Sequence, residues 1–202
     1  MTGPLLYLRS RGLPGTLAAL LCTAAAAAWG TTWAGARPEF AEAVRLTAVF
    51  GPLLVSGAIG TGLYAPGAEL DRTAVRAWWP YRAAHLLGPT ALAAALFALV
   101  VPPGTEGFGA PAAVRNTLGL VGLAAASAVF LGARLSWLPP VLVIGAAHVA
   151  APTGSIDGGT ARWVWAWVAR PGTEGGAWAA AIVCLAAGAG LYAWRGARRD
   201  GA

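Results

Sequence analysis

The chain contains no lysine, and all fourteen of its basic residues are arginine. A P-loop needs a lysine to reach the terminal phosphates of a nucleotide, so the chain does not hydrolyse a nucleotide by that route. Acidic residues are scarce too, with eight in 202 residues. Charged residues make up 11% of the chain, whereas an ordinary soluble domain has about 25%. This is too little charge to cover the surface of a water-soluble globule.

Cysteines and catalytic motifs are also rare. Cys22 and Cys184 fall in apolar stretches and have no second Cys or His at metal-ligand spacing. A free buried cysteine acts mainly as a small apolar side chain. The sequence contains no HExxH, GxSxG or CxxC motif, and no pair of acidic residues within an apolar stretch. We therefore expect no enzymatic activity, no metal site and no cofactor in this chain.

Long apolar runs dominate the sequence instead. Hydrophobic residues make up 57% of the chain, and its mean hydropathy is +0.63. A membrane-spanning helix needs about 20 apolar residues, whereas strands of a membrane barrel would appear as alternating segments of about 10 residues. Only helices suit continuous apolar runs in lipid. The sequence therefore predicts an all-α polytopic bundle, one transmembrane domain over residues 1–202 with six spans, at roughly 13–35, 46–66, 82–102, 116–133, 138–156 and 176–194.

The arginines are divided unevenly between alternate loops. With the N-terminus in the cytoplasm, nine arginines fall inside and five outside. The positive-inside rule therefore predicts a multi-pass protein of the plasma membrane with both termini cytoplasmic. Because the arginines lie at span ends and form no stripe, membrane topology explains the net charge of +6 better than nucleic-acid binding. One alternative is a cleaved signal peptide, in which Arg9 and Arg11 precede the apolar run and small residues follow around Ala34–Ala36. The length of the run and the residues Trp29 and Trp33 favour a retained first span.

One ionisable side chain, His148, is predicted to lie deep within a span. Ionisable residues inside a membrane are candidates for a function by default. His148 could line a translocation path or take part in proton-linked transport. Alternatively, it could have a structural role, satisfied by a hydroxyl group or a carbonyl on a neighbouring helix, with Ser127 and Thr61 as possible partners.

The external segment before the last span is rich in tryptophan, with Trp163, Trp165 and Trp167 in alternation between two arginines. A lone strand would have no partner for its edge at a membrane surface. A short interfacial helix or a re-entrant hairpin over residues 162–170 fits better, with Trp at headgroup depth. A loop that is merely anchored by its tryptophans remains an alternative.

The most charged segment, GAELDRTAVRAWWPYRAAH, occupies residues 67–85 between the second and third spans. If it is helical, Glu69, Arg72 and Arg76 share one face because they are spaced i, i+3 and i+7, with Asp71 nearby. Arginine counting places this segment in the cytoplasm. It is either a docking surface for a cytosolic protein or a plain anchor loop.

These features together resemble the permease subunit of type-2 ATP-binding-cassette exporters. The ELDR of Glu69–Arg72 followed by the RAAHLL of Arg82–Leu87 is also similar to small permease-like membrane proteins of actinobacteria, which are often associated with peptide natural products. In the exporter family, a coupling helix between the second and third spans docks into a separate ATPase subunit, and a small helical hairpin commonly precedes the last span on the outside.

The resemblance implies a division of labour between subunits. Two copies, or this chain and a related permease, would pair in the lipid, and cytosolic ATP-binding subunits would supply the chemistry. Glu69, Asp71, Arg72 and Arg76 would form the docking surface for the ATPase. The substrate would be a peptide or a lipophilic natural product. The alternative is a membrane immunity or scaffold protein that transports nothing and has no catalytic activity.

Overall fold

The computed structural model describes residues 12–35, 41–64, 78–102, 108–150 and 166–198. These residues form helices and short connections, and they include no strand, which confirms the all-α prediction. The helices are α1 (Leu13–Gly35), α2 (Ala41–Gly62), α3 (Trp79–Val100), α4 (Ala110–Phe130), α5 (Leu138–Ala150) and α6 (Gly175–Arg195). Single turns of 3-10 helix lie at Ala133–Leu135 and Trp167–Ala169.

Five of these helices, all except α5, are long and apolar enough to cross a membrane. The chain is therefore a multi-pass membrane protein. Helix α5 has 13 residues, which is a length of about 20 Å at 1.5 Å per residue, against an apolar bilayer core of about 30 Å. The rest of the predicted fifth span, residues 151–156, lies outside the described residues. The sixth crossing and the cytoplasmic location of the termini therefore stay predictions.

Helix α4 is the centre of the bundle. It packs against α6, α2, α3 and α5, and its side chains are buried on nearly every side. The helix begins at Ala110, with Pro111 in its first turn, where the missing N–H of proline leaves no helical bond unmade. From the sequence, the fourth span is predicted to start at residue 116, because a window without charged residues excludes Arg115. In the structure the helix instead begins at Ala110, so that Arg115 lies inside it.

The backbones of α4 and α6 touch where two glycines face each other. A Cβ atom on Gly188 would overlap the carbonyl of Gly122, and a Cβ on Gly122 would overlap the backbone at Cys184 and Leu185. Small residues allow such close approach between helices in lipid, where no hydrophobic force drives helices together. This contact fixes α6 against the central helix.

The bundle has two ends, which we name by what lies there. At the tail end, α2, α4 and α6 finish and α3 and α5 begin; there His85 Nε2 lies 3.2 Å from the carbonyl oxygen of Gly62. At the insert end, α4 and α6 begin, next to residues 166–174, which we call the inserted segment. Gly172 of this segment lies against Pro111 at the start of α4.

Candidate functional site: a buried Arg–Asn pair that holds the inserted segment

The four residues predicted to dock an ATPase, Glu69, Asp71, Arg72 and Arg76, lie outside the described residues. Their role therefore stays a prediction. The described chain ends at Tyr64 after α2 and resumes at Trp78 before α3. Both points are at the tail end, so the chain enters and leaves the charged segment there.

His148 lies on the exposed face of α5. Its Nδ1 is 3.1 Å from the carbonyl oxygen of Ile144, one turn earlier in the same helix. Its ring packs against Phe50 of α2, with the ring centroids 5.7 Å apart. The side chain therefore lies on the surface of this bundle, next to α2.

The two hydroxyl groups predicted as partners for His148 bond within their own helices. Ser127 Oγ donates to the carbonyl of Leu123 at 2.8 Å, and Thr61 Oγ1 donates to the carbonyl of Gly57, also at 2.8 Å. The bond that the structure gives His148 is to a carbonyl of its own helix, and Ser127 and Thr61 each bond to a backbone carbonyl of theirs. A place for His148 in a translocation path stays a prediction.

The main polar cluster that the structure describes is one that sequence analysis missed. Arg115 and Asn116 of α4 are both 0% exposed. Arg115 Nη1 donates to the carbonyl of Pro171 at 2.6 Å, and Nη2 donates to the carbonyl of Arg170 at 2.7 Å. Nε and Nη2 also donate to Asn116 Oδ1, at 3.2 and 3.1 Å. The guanidinium therefore joins α4 to the inserted segment.

Asn116 extends this network to a third part of the chain. Its Nδ2 donates to the carbonyl of Ala48 in α2 and to the carbonyl of Val168 in the inserted segment, both at 3.0 Å. Because its oxygen accepts from Arg115 and its nitrogen uses both hydrogens, the side-chain amide is fully satisfied. One residue pair thus ties together α4, α2 and the inserted segment.

The positive charge of Arg115 is compensated by backbone dipoles and by Glu174. The carbonyl groups that it binds direct their negative ends toward it, and Glu174 adds a charge–charge attraction. The Glu174 carboxylate itself lies 3.9 Å from Arg170 Nε. Removing the partner of a buried charge lowers the free energy of unfolding more than breaking an exposed ion pair does, because the buried charge is left without compensation. This makes the cluster sensitive to substitution.

The inserted segment also fits the shape of α4. Trp167 is 2% exposed, and its indole lies over Gly119, where a Cβ atom would overlap Trp167 Cη2. Trp178 of α6 closes the segment with a hydrogen bond from Nε1 to the carbonyl of Gly172, 2.8 Å long. Irregular backbone at membrane depth is tolerated where protein buries it, and these contacts bury it.

These contacts concern the second half of the segment predicted at residues 162–170, because the structure describes it only from residue 166 onward. Arg162, Trp163 and Trp165 lie outside the described residues. Trp167, in contrast, is buried inside the bundle against α4, and its predicted position at headgroup depth stays a prediction. It is buried because Gly119 leaves room for an indole against α4. The described part of the segment packs inside the bundle, and the choice between an interfacial helix, a re-entrant hairpin and an anchored loop stays a prediction.

The sequence does contain a signal for this cluster, because Arg115 and Asn116 are adjacent polar residues within an otherwise apolar helix. By the positive-inside rule, Arg115 is one of the five arginines assigned to the external loops. Hydropathy alone does not identify the carbonyl groups that surround it. Within the described ranges, no three His, Cys, Asp or Glu side chains come together to hold a metal ion. The cluster positions α2, α4 and the inserted segment relative to one another.

No protein family, curated protein or solved structure matches this chain. The class that the fold defines is therefore a multi-pass helical membrane protein with a buried segment inserted before its last long helix.

Proposed function

We propose that this chain is the permease subunit of an ATP-binding-cassette exporter in the plasma membrane. It moves a peptide or a lipophilic natural product, with ATP hydrolysed by a separate cytosolic subunit. The observation that carries this proposal is the inserted segment, a short buried element directly before the last long helix. Type-2 exporters, which the sequence resembles, commonly have a small helical element at this position in the chain.

The packing around α4 suggests where the substrate would pass. Ala, Gly and Leu side chains of α4 fill the middle of the bundle, and α6 touches it at backbone distance. A path through the middle of one copy has no room. The path therefore lies where two copies, or this chain and a related permease, face each other. His148, on an exposed face beside Phe50, is available to line such a path.

The docking role falls on the charged segment between α2 and α3. Glu69, Asp71, Arg72 and Arg76 make salt bridges with the ATP-binding subunit in this proposal. Because α2 ends and α3 begins at the tail end, a force applied to this segment acts directly on both helices. Helix α3 in turn packs against α4 and α6, so its movement reaches the central helix.

A charge reversal tests the proposal. The double variant Glu69→Arg, Arg76→Glu keeps the net charge and should abolish both co-purification of the ATP-binding subunit and export. A matched control, Arg37→Glu with Glu39→Arg, reverses one arginine and one glutamate in the connection between α1 and α2. This control should retain both co-purification of the ATP-binding subunit and export. The proposal is contradicted if the Glu69/Arg76 variant, with an unchanged melting temperature, still binds the ATPase and exports.

The second candidate is an immunity or scaffold protein that transports nothing. The close packing of α4 favours it, because a filled interior suits a structural role. On this interpretation, deleting the gene for the chain leaves export unchanged, and the protein acts without any ATP-binding partner. Measuring export in the deletion strain therefore separates the two candidates.

A further inference from the structure

We infer that the tail end binds the phosphate headgroups of anionic phospholipids through Arg82, Arg195 and Arg198. This inference is independent of the proposed function, since it concerns the lipid and not a protein partner. It rests on the geometry of the three arginines, on the charge of the tail end and on the aromatic residues beside them.

The chain after α6 folds back onto the bundle and holds Arg198 in place. Gly196 ends α6 with a φ of +75°, a conformation that glycine adopts without strain. The N–H of Arg198 then donates to the carbonyl of Ala128 at 2.8 Å, and its Nη1 donates to the carbonyl of Phe130 at 3.1 Å. The last carbonyls of α4 thus fix both the backbone and the side chain of Arg198.

The guanidinium of Arg82 lies flat against this turn. A Cβ atom built on Gly196 would be 3.2 to 3.4 Å from the Cζ, Nη1 and Nη2 atoms of Arg82. Since the three distances are nearly equal, the guanidinium plane faces Gly196 and the N–H groups at its edge point elsewhere. Directly before Gly196, the Cζ of Arg195 lies 5.2 Å from the centroid of the Trp194 ring. The turn therefore places the Arg82 guanidinium beside Gly196, the residue that follows Arg195 in the chain.

The tail end is positively charged throughout its described part. It contains Arg82, Arg134, Arg195 and Arg198, whereas the acidic side chain that the structure describes, Glu174, is at the insert end. Arg195 and Arg198 are exposed, and Arg82 is half-buried. Several guanidinium groups gathered in this way attract phosphate, which their planar N–H forks bind in bidentate fashion.

Aromatic side chains put these arginines at the boundary between lipid and water. Trp79 is 61% exposed, Tyr81 42% and Trp194 73%. Exposed Trp and Tyr at helix ends lie at the depth of the headgroups. A phosphodiester at that depth is within reach of Arg82 and Arg195, while its acyl chains would lie along the apolar faces of α3 and α6. Anionic phospholipid therefore fits this surface better than a soluble anion does.

The test is a binding titration of the full-length protein in mild neutral detergent, measured by the rise in melting temperature. Phosphatidylglycerol should raise the melting temperature, whereas phosphatidylcholine and inorganic phosphate at the same concentration should not. An arginine near an anionic membrane surface strengthens binding about five-fold. The double variant Arg82→Gln, Arg195→Gln should therefore weaken phosphatidylglycerol binding by about 25-fold.

A control variant removes the same charge from the other end. Arg37→Gln with Arg45→Gln should bind phosphatidylglycerol as the wild type does. If the Arg82/Arg195 variant does not fold, the wild type still tests the inference, because raising the salt concentration should weaken an electrostatic contact at the surface. Equal binding of phosphatidylcholine, an equal effect of inorganic phosphate, or binding that is insensitive to salt would each overturn the inference.

Discussion

Replacing Asn116 with leucine tests the buried cluster most sharply. Leucine keeps the four-atom side chain branched at Cγ but removes four hydrogen bonds, two given to the carbonyls of Ala48 and Val168 and two received from Arg115. A hydrogen bond buried in a membrane protein contributes about 0.6 kcal/mol, and one in a soluble protein about 1 kcal/mol. The four bonds therefore place the loss of unfolding free energy at about 2 to 4 kcal/mol.

The neighbouring residue provides the matched control. Thr117 is also 0% exposed, but its hydroxyl bonds only to the carbonyl of Ala113 in its own helix. Thr117→Val keeps the shape and removes one local bond, so it should cost less than about 1 kcal/mol. Both variants would be unfolded reversibly with SDS in mixed micelles, and tryptophan fluorescence would report the transition.

Hydrogen exchange adds a local readout to the same pair of variants. In Asn116→Leu, the amides of residues 166–174 should exchange faster than in the wild type, because the network that holds them is lost. In Thr117→Val, their exchange should be unchanged. If Asn116→Leu loses no more stability than Thr117→Val and leaves the exchange of the inserted segment unaltered, the network does not hold the segment and the reasoning is refuted.

Replacing glycine with alanine should lower the stability where the glycine contacts another segment, and should not lower it where the glycine has open space around it. Gly119→Ala and Gly188→Ala should each destabilise by about 1 to 3 kcal/mol in SDS unfolding, because the added methyl overlaps Trp167 or α4 backbone. Gly145→Ala and Gly190→Ala meet nothing within 4 Å and should be neutral or stabilise by up to about 1 kcal/mol; the same sign at all four sites would contradict the packing. Arg115→Lys should lower the melting temperature and speed exchange in residues 166–174, since one ammonium cannot replace the planar fork; wild-type values would contradict this.

Hydropathy alone predicts most of the helices. The first span, predicted at residues 13–35, is observed as Leu13–Gly35, since the apolar run and the helix end together there. The start of α4 is not predicted well, because the charge of Arg115 marks a boundary for a hydropathy window. In the folded chain, carbonyl groups from the inserted segment compensate this charge, and the helix continues past it.

Helix contacts are harder to predict than helices. Small residues four apart, such as Ser56 and Gly60 or Ala186 and Gly190, indicate faces on which close approach is available. Gly60 does lie close to Ala124 of α4, whereas Gly190 has nothing within 4 Å and Gly188 makes the contact instead. The spacing shows which helix faces carry small residues, but the partner helix determines which of these faces makes the contact. The same limit applies to Asn116, whose partners come from segments that are far apart in sequence.

The most direct test of the proposed function is co-purification from native membranes in mild detergent, with the composition of the complex measured by mass spectrometry. The proposal predicts that a nucleotide-binding subunit accompanies the chain in stoichiometric amount, and that the Glu69→Arg, Arg76→Glu variant loses it. Recovery of the folded wild-type chain with its native lipid but without any nucleotide-binding protein would contradict it.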